Sequence, residues 1–343
     1  MGLDYTTILW NKHKKLYDKL IAVAMLTYLL GFVLITLATN PEATAETIII
    51  RAFGTLAIVL LHIVLAIGPL ARLNPRFLPL LYNRRHLGVS IFLTALVHGL
   101  FSIIQFHTLG NVNALYAVFT SNMDYDSFVN FPFQVLGFFA LLILFLMAAT
   151  SHDFWLKNLS PKTWKRLHMM VYFAYALVLM HVFLGALQQQ PSIWSIGILT
   201  LGFLTLTSLH LTAALREAKL DRQKTKQVNN GWEYICEIDD IPEDRAKIFV
   251  VKKERVALFK YDHKLSAISN VCKHQGGPLG EGKVVDGCVT CPWHGYQYLP
   301  QNGQSPPPFT EKVATYRIKK IDKGIYIDPQ ALEEGTAVEP ITF

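Results

Sequence analysis

The chain has 343 residues, 52% of them hydrophobic, and 32 Lys+Arg against 25 Asp+Glu for a net charge of +7. That length predicts two or three domains. Residues 1–215 hold 13 cations and 7 anions while residues 216–343 hold 19 and 18, so the excess lies in short loops between apolar runs; this is a membrane pattern and excludes nucleic acid as a partner.

Apolar runs long enough to span a bilayer recur at roughly 20–39, 52–71, 86–107, 131–150, 167–187 and 192–214. Lys12, Lys14, Lys15 and Lys19 precede the first; Arg72, Arg76, Arg84 and Arg85 fill the second connection, and Lys157, Lys162, Lys165 and Arg166 the fourth. Arg216, Lys219, Arg222, Lys224 and Lys226 follow the sixth, whereas Glu42, Glu46, Asp124 and Asp126 mark the other side. The positive-inside rule then places both termini in the cytoplasm. The N-terminal stretch lacks the short apolar core and small-residue site of a cleaved signal peptide, and none is expected.

Ionisable side chains inside spans are costly and mark function. The third span carries His86 and His98, the fifth His168 and His181, and both run from cytoplasm outward. His86 and His168 follow basic clusters at one level. His98 is 12 residues further along and His181 is 13, about 18–20 Å deeper at about 1.5 Å per residue. Two histidine pairs at matched depths suit two stacked bis-histidine haems, and Gly88, Gly99 and Gly185 clear side chains for a flat macrocycle. On an ideal helix His98 is turned about 120° from His86, which a tilt or bend must absorb. His62 in the second span is open between ligation, a hydrogen bond to a propionate or quinone, and a bond to a neighbouring helix.

Arg84-Arg85-His86-Leu87-Gly88 through His98, and Leu167-His168 through His181, resemble the haem-bearing helices of the ferric reductase-like transmembrane family, which includes NADPH oxidases and the haem subunit of methionine sulfoxide reductase. The resemblance covers roughly residues 50–190. It implies b-type haem, two copies, on His86, His98, His168 and His181.

Residues 216–230 read as a charged linker ending in the turn signal Asn229-Asn230-Gly231. Beyond it, short strands are expected at Lys247–Val251, Val256–Tyr261, Ala267–Val271, Tyr316–Ile321 and Ile325–Ile327, with turns at Asp262-His263-Lys264 and Asp322-Lys323-Gly324 and a loose tail of about a dozen residues. Four cysteines in all, with no marked disulfide, fit a reducing compartment.

Between these strands lie Cys272-Lys273-His274 and Cys291-Pro292-Trp293-His294. One Cys and one His per loop differs from a zinc site, whose ligands pair as C-x₂₋₄-C and H-x₃₋₅-H. It is what a Rieske [2Fe-2S] centre needs, where two histidines replace two cysteines on one iron. Gly276-Gly277-Pro278-Leu279, Pro292 and Gly295 turn the loops tightly. The stretch resembles the Rieske ferredoxin family, which implies Cys272 and Cys291 on the inner iron and His274 and His294 on the outer. Gly277 and Trp293 stand where high-potential members carry a disulfide, and Tyr296 where they carry a serine; Tyr298 keeps a possible bond to sulfur. Fewer bonds to sulfur imply a potential low in the Rieske range.

The expected architecture is a membrane all-α six-helix haem-binding bundle over 1–215, a linker over 216–230 and a small all-β cytoplasmic Rieske domain over 231–343. The expected function is transmembrane transfer of single electrons between the cluster and the haems, in a bacterial inner membrane. No G-x-G-x-x-G follows a strand, so electrons arrive from a separate reductase or ferredoxin, or from quinol. They leave outward to a ferric, oxygen, quinone or periplasmic protein acceptor. The alternative is a membrane-anchored Rieske ferredoxin serving a separate oxygenase or reductase subunit: only 49 residues follow His294 and none is a histidine, too few to hold a non-haem iron triad.

Overall fold

The computed structural model describes residues 12–81, 84–189, 193–222, 226–227, 231–274, 276–293 and 295–343. Two compact units result. One gathers Lys12–Gly68 with Asn83–His210; the other gathers Pro69–Tyr82 with Leu211–Phe343.

Helices dominate the first unit, as they must where lipid offers the backbone no hydrogen bonds. In chain order the helices are α1 Lys12–Thr39, α2 Ala45–Leu73, the one-turn α3 Leu78–Leu81, α4 Arg84–His107, α5 Ala114–Thr120, α6 Phe133–Ala149, α7 Asp153–Asn158, α8 Pro161–Met169, α9 Val171–Gln189 and α10 Ile193–Arg222, of which α3 and the ends of α2 and α10 belong to the second unit. Side-chain caps start the shorter ones. Asn113 accepts from the Leu115 and Tyr116 amides ahead of α5, and Ser160 accepts from Thr163 N ahead of α8, where Pro161 has no N–H to satisfy.

Among the described residues, Lys15–Thr39, Ala45–Leu73, Arg84–His107 and Thr163–Gly185 are long and apolar enough to cross a membrane, and Phe133–Ala149 is a shorter apolar helix. The chain is an integral membrane protein. The sixth expected run, 192–214, falls largely within α10, with residue 192 outside the described residues. The fifth run differs from expectation. Met170 has ψ −9° and its amide bonds the carbonyls of Leu167 and His168, not that of Arg166, so α8 ends and α9 begins there. His168 thus lies on α8 and His181 on α9. Of the partners within the unit, α6 packs along α9 and against α4.

The second unit is built on sheets. Its strands are β1 Lys226–Gln227, β2 Glu233–Glu237, β3 Arg245–Val251, β4 Glu254–Tyr261, β5 Lys264–Ser269, β6 Lys283–Val285, β7 Cys288–Thr290, β8 Gln297–Tyr298, β9 Thr315–Tyr316, β10 Ile318–Ile321, β11 Gly324–Ile327 and β12 Ile341–Thr342. They form antiparallel sheets in the orders β1-β2-β11-β10, β12-β5-β4-β3 with β9 on β5, and β6-β7-β8. β4 is buried on both faces. Its alternate residues Ala257, Phe259 and Tyr261 enter a core with Leu279, Val289 and Tyr298, while Val256 and Leu258 enter another with Phe249, Leu265 and Ile325. Asp262 and His263, at φ 49° and 55°, make the tight β4–β5 hairpin turn.

The expected strands form with shifted ends; the run 316–321 divides between β9 and β10, which join different sheets. The tail is not loose. Ile341 and Thr342 pair with Leu265 and Lys264, and the Phe343 amide bonds the His263 carbonyl. The expected linker is helical through Arg222, and Lys226–Gln227 pairs with β2; residues 223–225 and 228–230 lie outside the described residues. Arg255 on β4 grips the end of α10, bonding Glu217 and, through Nε and Nη2, both oxygens of Asp221 at 2.8 and 2.9 Å. Arg72 reaches Glu281 at 3.3 Å, and Arg216 donates to the Leu73 carbonyl.

Candidate cofactor sites

The Cys272 and Cys291 loops are built to one plan. In the first, Cys272 N bonds the Gly277 carbonyl at 2.9 Å and Gly276 N bonds the Cys272 carbonyl at 2.7 Å. In the second, Cys291 N bonds the Tyr296 carbonyl at 2.7 Å and Gly295 N bonds the Cys291 carbonyl at 2.9 Å. Each loop turns back on a glycine four residues past its cysteine, Gly276 at φ 72° and Gly295 at φ 73°, where a side chain would be strained. Gly277 separates the loops closely: a Cβ there would lie 2.8 Å from Cys291 Sγ and 3.2 Å from the Trp293 ring. The position that elsewhere carries a disulfide therefore faces Trp293 here.

Both sulfurs are buried, Cys272 and Cys291 at 1% exposure. Tyr298, at 0% exposure, places its hydroxyl 3.4 Å from Cys272 Sγ and accepts from Lys273 N at 3.0 Å. Burial first, and the Cys272 sulfur second, hold its phenol protonated well above the ordinary tyrosine range, so it can donate to sulfur. His274 stacks on Tyr296 at 4.6 Å and 7°, and the Tyr296 hydroxyl donates to Glu311. His294 and Gln275 lie outside the described residues. Two buried thiols beside a buried donor, on tight loops with His274, fit the donor set of a [2Fe-2S] cluster.

In the first unit a cavity of about 1070 Å³ is lined by α2, α4, α6, α9 and α10, with residues of α1. His98 from α4 and His181 from α9 both face it, their ring centroids 6.0 Å apart and their planes crossed at 82°. Two imidazole nitrogens each about 2 Å from one metal centre, on opposite sides, place the centroids roughly 6 Å apart, so the separation fits a bis-histidine iron. His98 Nδ1 lies 2.9 Å from the Ile50 carbonyl and His181 Nδ1 2.9 Å from that of Phe133. Each Nδ1–H donates there, which fixes the tautomer and leaves the Nε2 lone pair as the ligating one.

The other histidines are placed differently. His86 Nδ1 is 2.8 Å from Asp18 on α1. His168 stacks on Trp164 at 3.7 Å, its Nδ1 3.1 Å from the Trp164 carbonyl and its Nε2 3.4 Å from Ser151 Oγ. Neither lines the cavity, and each has its hydrogen bonds and ring contacts with other partners. His62 lines the cavity and bonds a neighbouring helix: Nδ1 bonds the Ile58 carbonyl and Nε2 is 3.0 Å from the Tyr175 hydroxyl.

Sequence reasoning missed the groups that hold these rings. Of the glycines it singled out, Gly99 and Gly185 line the cavity, but a Cβ on Gly88 would meet nothing within 4 Å. The glycines pressed against imidazoles are Gly54 on His98, Gly137 on His181 and Gly202 on His62. The stacking of Tyr296 on His274 and its bond to Glu311 were missed too. A backbone carbonyl leaves no mark in composition, so only the glycine spacing could have pointed to these contacts.

Residues 231–317 match the Rieske [2Fe-2S] domain family, and residues 53–179 match the ferric reductase like transmembrane component family. The chain is 32% identical over 98 residues to the anthranilate 1,2-dioxygenase ferredoxin subunit of Burkholderia cepacia, covering 28% of this chain and 91% of that protein. It is 32% identical over 148 residues to the protein-methionine-sulfoxide reductase heme-binding subunit MsrQ of Herminiimonas arsenicoxydans, covering 43% of this chain and 63% of that one. It is 31% identical over 120 residues to the magnetosome protein MamZ of Magnetospirillum gryphiswaldense, covering 34% of this chain but 17% of that protein.

Proposed function

Because the chain belongs to the ferric reductase-like transmembrane components over residues 53–179 and to the Rieske [2Fe-2S] proteins over residues 231–317, we propose that it carries single electrons between a cytoplasmic cluster and b-type haem in a bacterial inner membrane. Cys272 and Cys291 hold the inner iron of the cluster, and His274 and His294 the outer. His98 and His181 hold one haem. Six spans leave both termini and the Rieske domain, residues 231–343, in the cytoplasm, after a 1–215 membrane domain and a 216–230 linker. A reductase, a ferredoxin or quinol supplies the electrons, and a ferric, oxygen, quinone or periplasmic protein acceptor takes them up.

The facing of His98 and His181 across 6.0 Å in one cavity carries this reading. When bound, each group takes up and releases one electron at a time. The chain's own part is to hold and insulate. Ile50 and Phe133 orient the imidazoles, the apolar cavity wall excludes water, and Tyr298 donates to Cys272 sulfur. His86 and His168 are proposed as a second haem pair on the chemistry of their donors, each with Nδ1 bonded to an oxygen, and not on proximity.

Absorption and electron paramagnetic resonance spectra of the purified protein test the proposal. Low-spin b-type haem together with a Rieske signal is expected, and a haem-to-protein ratio of two supports the second pair. The resemblance to a dioxygenase ferredoxin subunit favours one other reading, a tethered ferredoxin. A Rieske signal without haem would select it.

A further inference from the structure

Two contacts recur around the cavity with the same spacing. In the first set the Ile50 carbonyl on α2 accepts from His98 Nδ1 on α4 at 2.9 Å, across 48 residues. In the second the Phe133 carbonyl on α6 accepts from His181 Nδ1 on α9 at 2.9 Å, again across 48 residues. Four residues past each carbonyl stands a glycine, Gly54 or Gly137, against the ring that the carbonyl holds. A Cβ on Gly54 would lie 2.8 Å from His98 Nδ1, and one on Gly137 would lie 2.8 Å from His181 Nδ1.

Every member of the first set maps onto the second by adding 83 to its number. We infer that α2 with α4, and α6 with α9, are two copies of one helical half-site, and that Gly54 and Gly137 are equivalent positioning residues for the two axial imidazoles. The physical reason is local. The carbonyl one turn earlier draws the ring flat across the partner helix, and only a residue without a side chain lets it lie there. Gly202 also meets a ring, that of His62, but the positions 83 residues away are Phe119 and Phe145, so it belongs to neither copy. Gly88 faces nothing within 4 Å, and Gly99 faces the tip of Leu141. The offset also sets a limit: His86 and His168 differ by 82, and their Nδ1 partners, Asp18 and the Trp164 carbonyl, are unrelated. The duplication covers the His98/His181 site and stops there.

This inference rests on His98 and His181 being axial ligands, and the experiment keeps the two apart. Gly54→Ala, Gly137→Ala, Gly88→Ala and Gly99→Ala are made beside His98→Ala and His181→Ala in the full-length chain. Haem-to-protein ratio, low-spin absorbance and the anisotropy of the ferric low-spin resonance are measured for each. Gly54→Ala and Gly137→Ala should each lower low-spin haem severalfold, within about twofold of one another, and shift the resonance of what remains. Gly88→Ala should match wild type in haem, and Gly99→Ala, which adds comparable crowding against Leu141, should accumulate in membranes as wild type does. If the histidine variants lose the haem while Gly54→Ala and Gly137→Ala keep the wild-type spectrum, the half-site inference is overturned and the ligand reading stands. If the histidine variants keep both intensity and spin state, the ligand reading itself fails. If neither Gly54→Ala nor Gly137→Ala accumulates in membranes while Gly99→Ala does, the two glycines serve folding alone and the inference is likewise overturned.

Discussion

The Rieske loops and the helical cavity are each made of a motif used twice, but the two copies lie at very different separations. Cys272 and Cys291 are 19 residues apart, and each copy is a single turn closed by its own backbone. Ile50–Gly54–His98 and Phe133–Gly137–His181 are 83 apart, and each copy needs two helices. A motif closed within six residues specifies its own geometry. A motif spread over two helices depends on how they pack. The first site should therefore tolerate change elsewhere in the chain, and the second should not.

The largest expected effects test whether the sites are separable. Cys291→Ala should abolish the Rieske resonance and leave haem absorbance within about a fifth of wild type, whereas His181→Ala should do the reverse. Parallel loss of both signals in well-expressed protein would break the comparison. Next comes tuning inside the compact loop. Tyr298→Phe removes the hydroxyl bonded to Cys272 sulfur and Lys273 N. A bond to sulfur favours the electron-richer reduced state and is worth about 1 kcal/mol, so its loss should lower the midpoint potential by roughly 40–60 mV. An unchanged potential in redox titration would remove Tyr298 from the tuning set.

A smaller effect concerns the grip of Arg255 on the end of α10. Asp221 is held below the usual carboxylate range by its bond to Arg255. Its contribution to stability is therefore complete above the ordinary aspartate value of about 3.9 and is lost as pH falls through the depressed folded value. Arg255→Ala should cost about 1 kcal/mol at neutral pH, because the network is a quarter to a half exposed. Thermal melts of variant and wild type should converge in strong acid; a constant gap would show that Asp221 plays no part. The smallest expected signal is a lack of reaction. Burial pushes the thiols of Cys236 and Cys288 up to about 11. Alkylation of the folded protein at neutral pH should be more than about a hundredfold slower than for an ordinary thiol, and fast labelling of either would mean that its core opens.

The compact site was legible because its chemistry is written in rare residues at short range. Two Cys–His pairs with glycines between them read directly as a cluster cradle, and the facing of Gly277 and Trp293 could be foreseen. The cavity was legible only in its two histidines. Their partners are carbonyls of Ile50 and Phe133, residues that any apolar helix contains, and an 83-residue repeat of one carbonyl and one glycine is lost among neighbours with no shared side chains. The break at Met170 was hidden for a similar reason. Hydropathy runs straight through it, while the capped start at Ser160 and Pro161 decides where α8 begins. The tail was misjudged because a two-residue strand has no pattern of its own until β5 supplies an open edge.

Each of the two imidazoles at the cavity is held in one orientation by the backbone. In a flexible protein each ring would sample several rotamers and both tautomers, and ligand capture would have to freeze them. Here the carbonyls of Ile50 and Phe133 have done so. Side-chain immobilisation of this kind costs about 0.5–1.5 kcal/mol per residue on binding. On the proposed reading, two ligands held in this way correspond to a gain in haem affinity of roughly fivefold to more than a hundredfold over the same histidines on unconstrained helices. A chain that holds haem so should keep it through dilutions that empty a looser bundle.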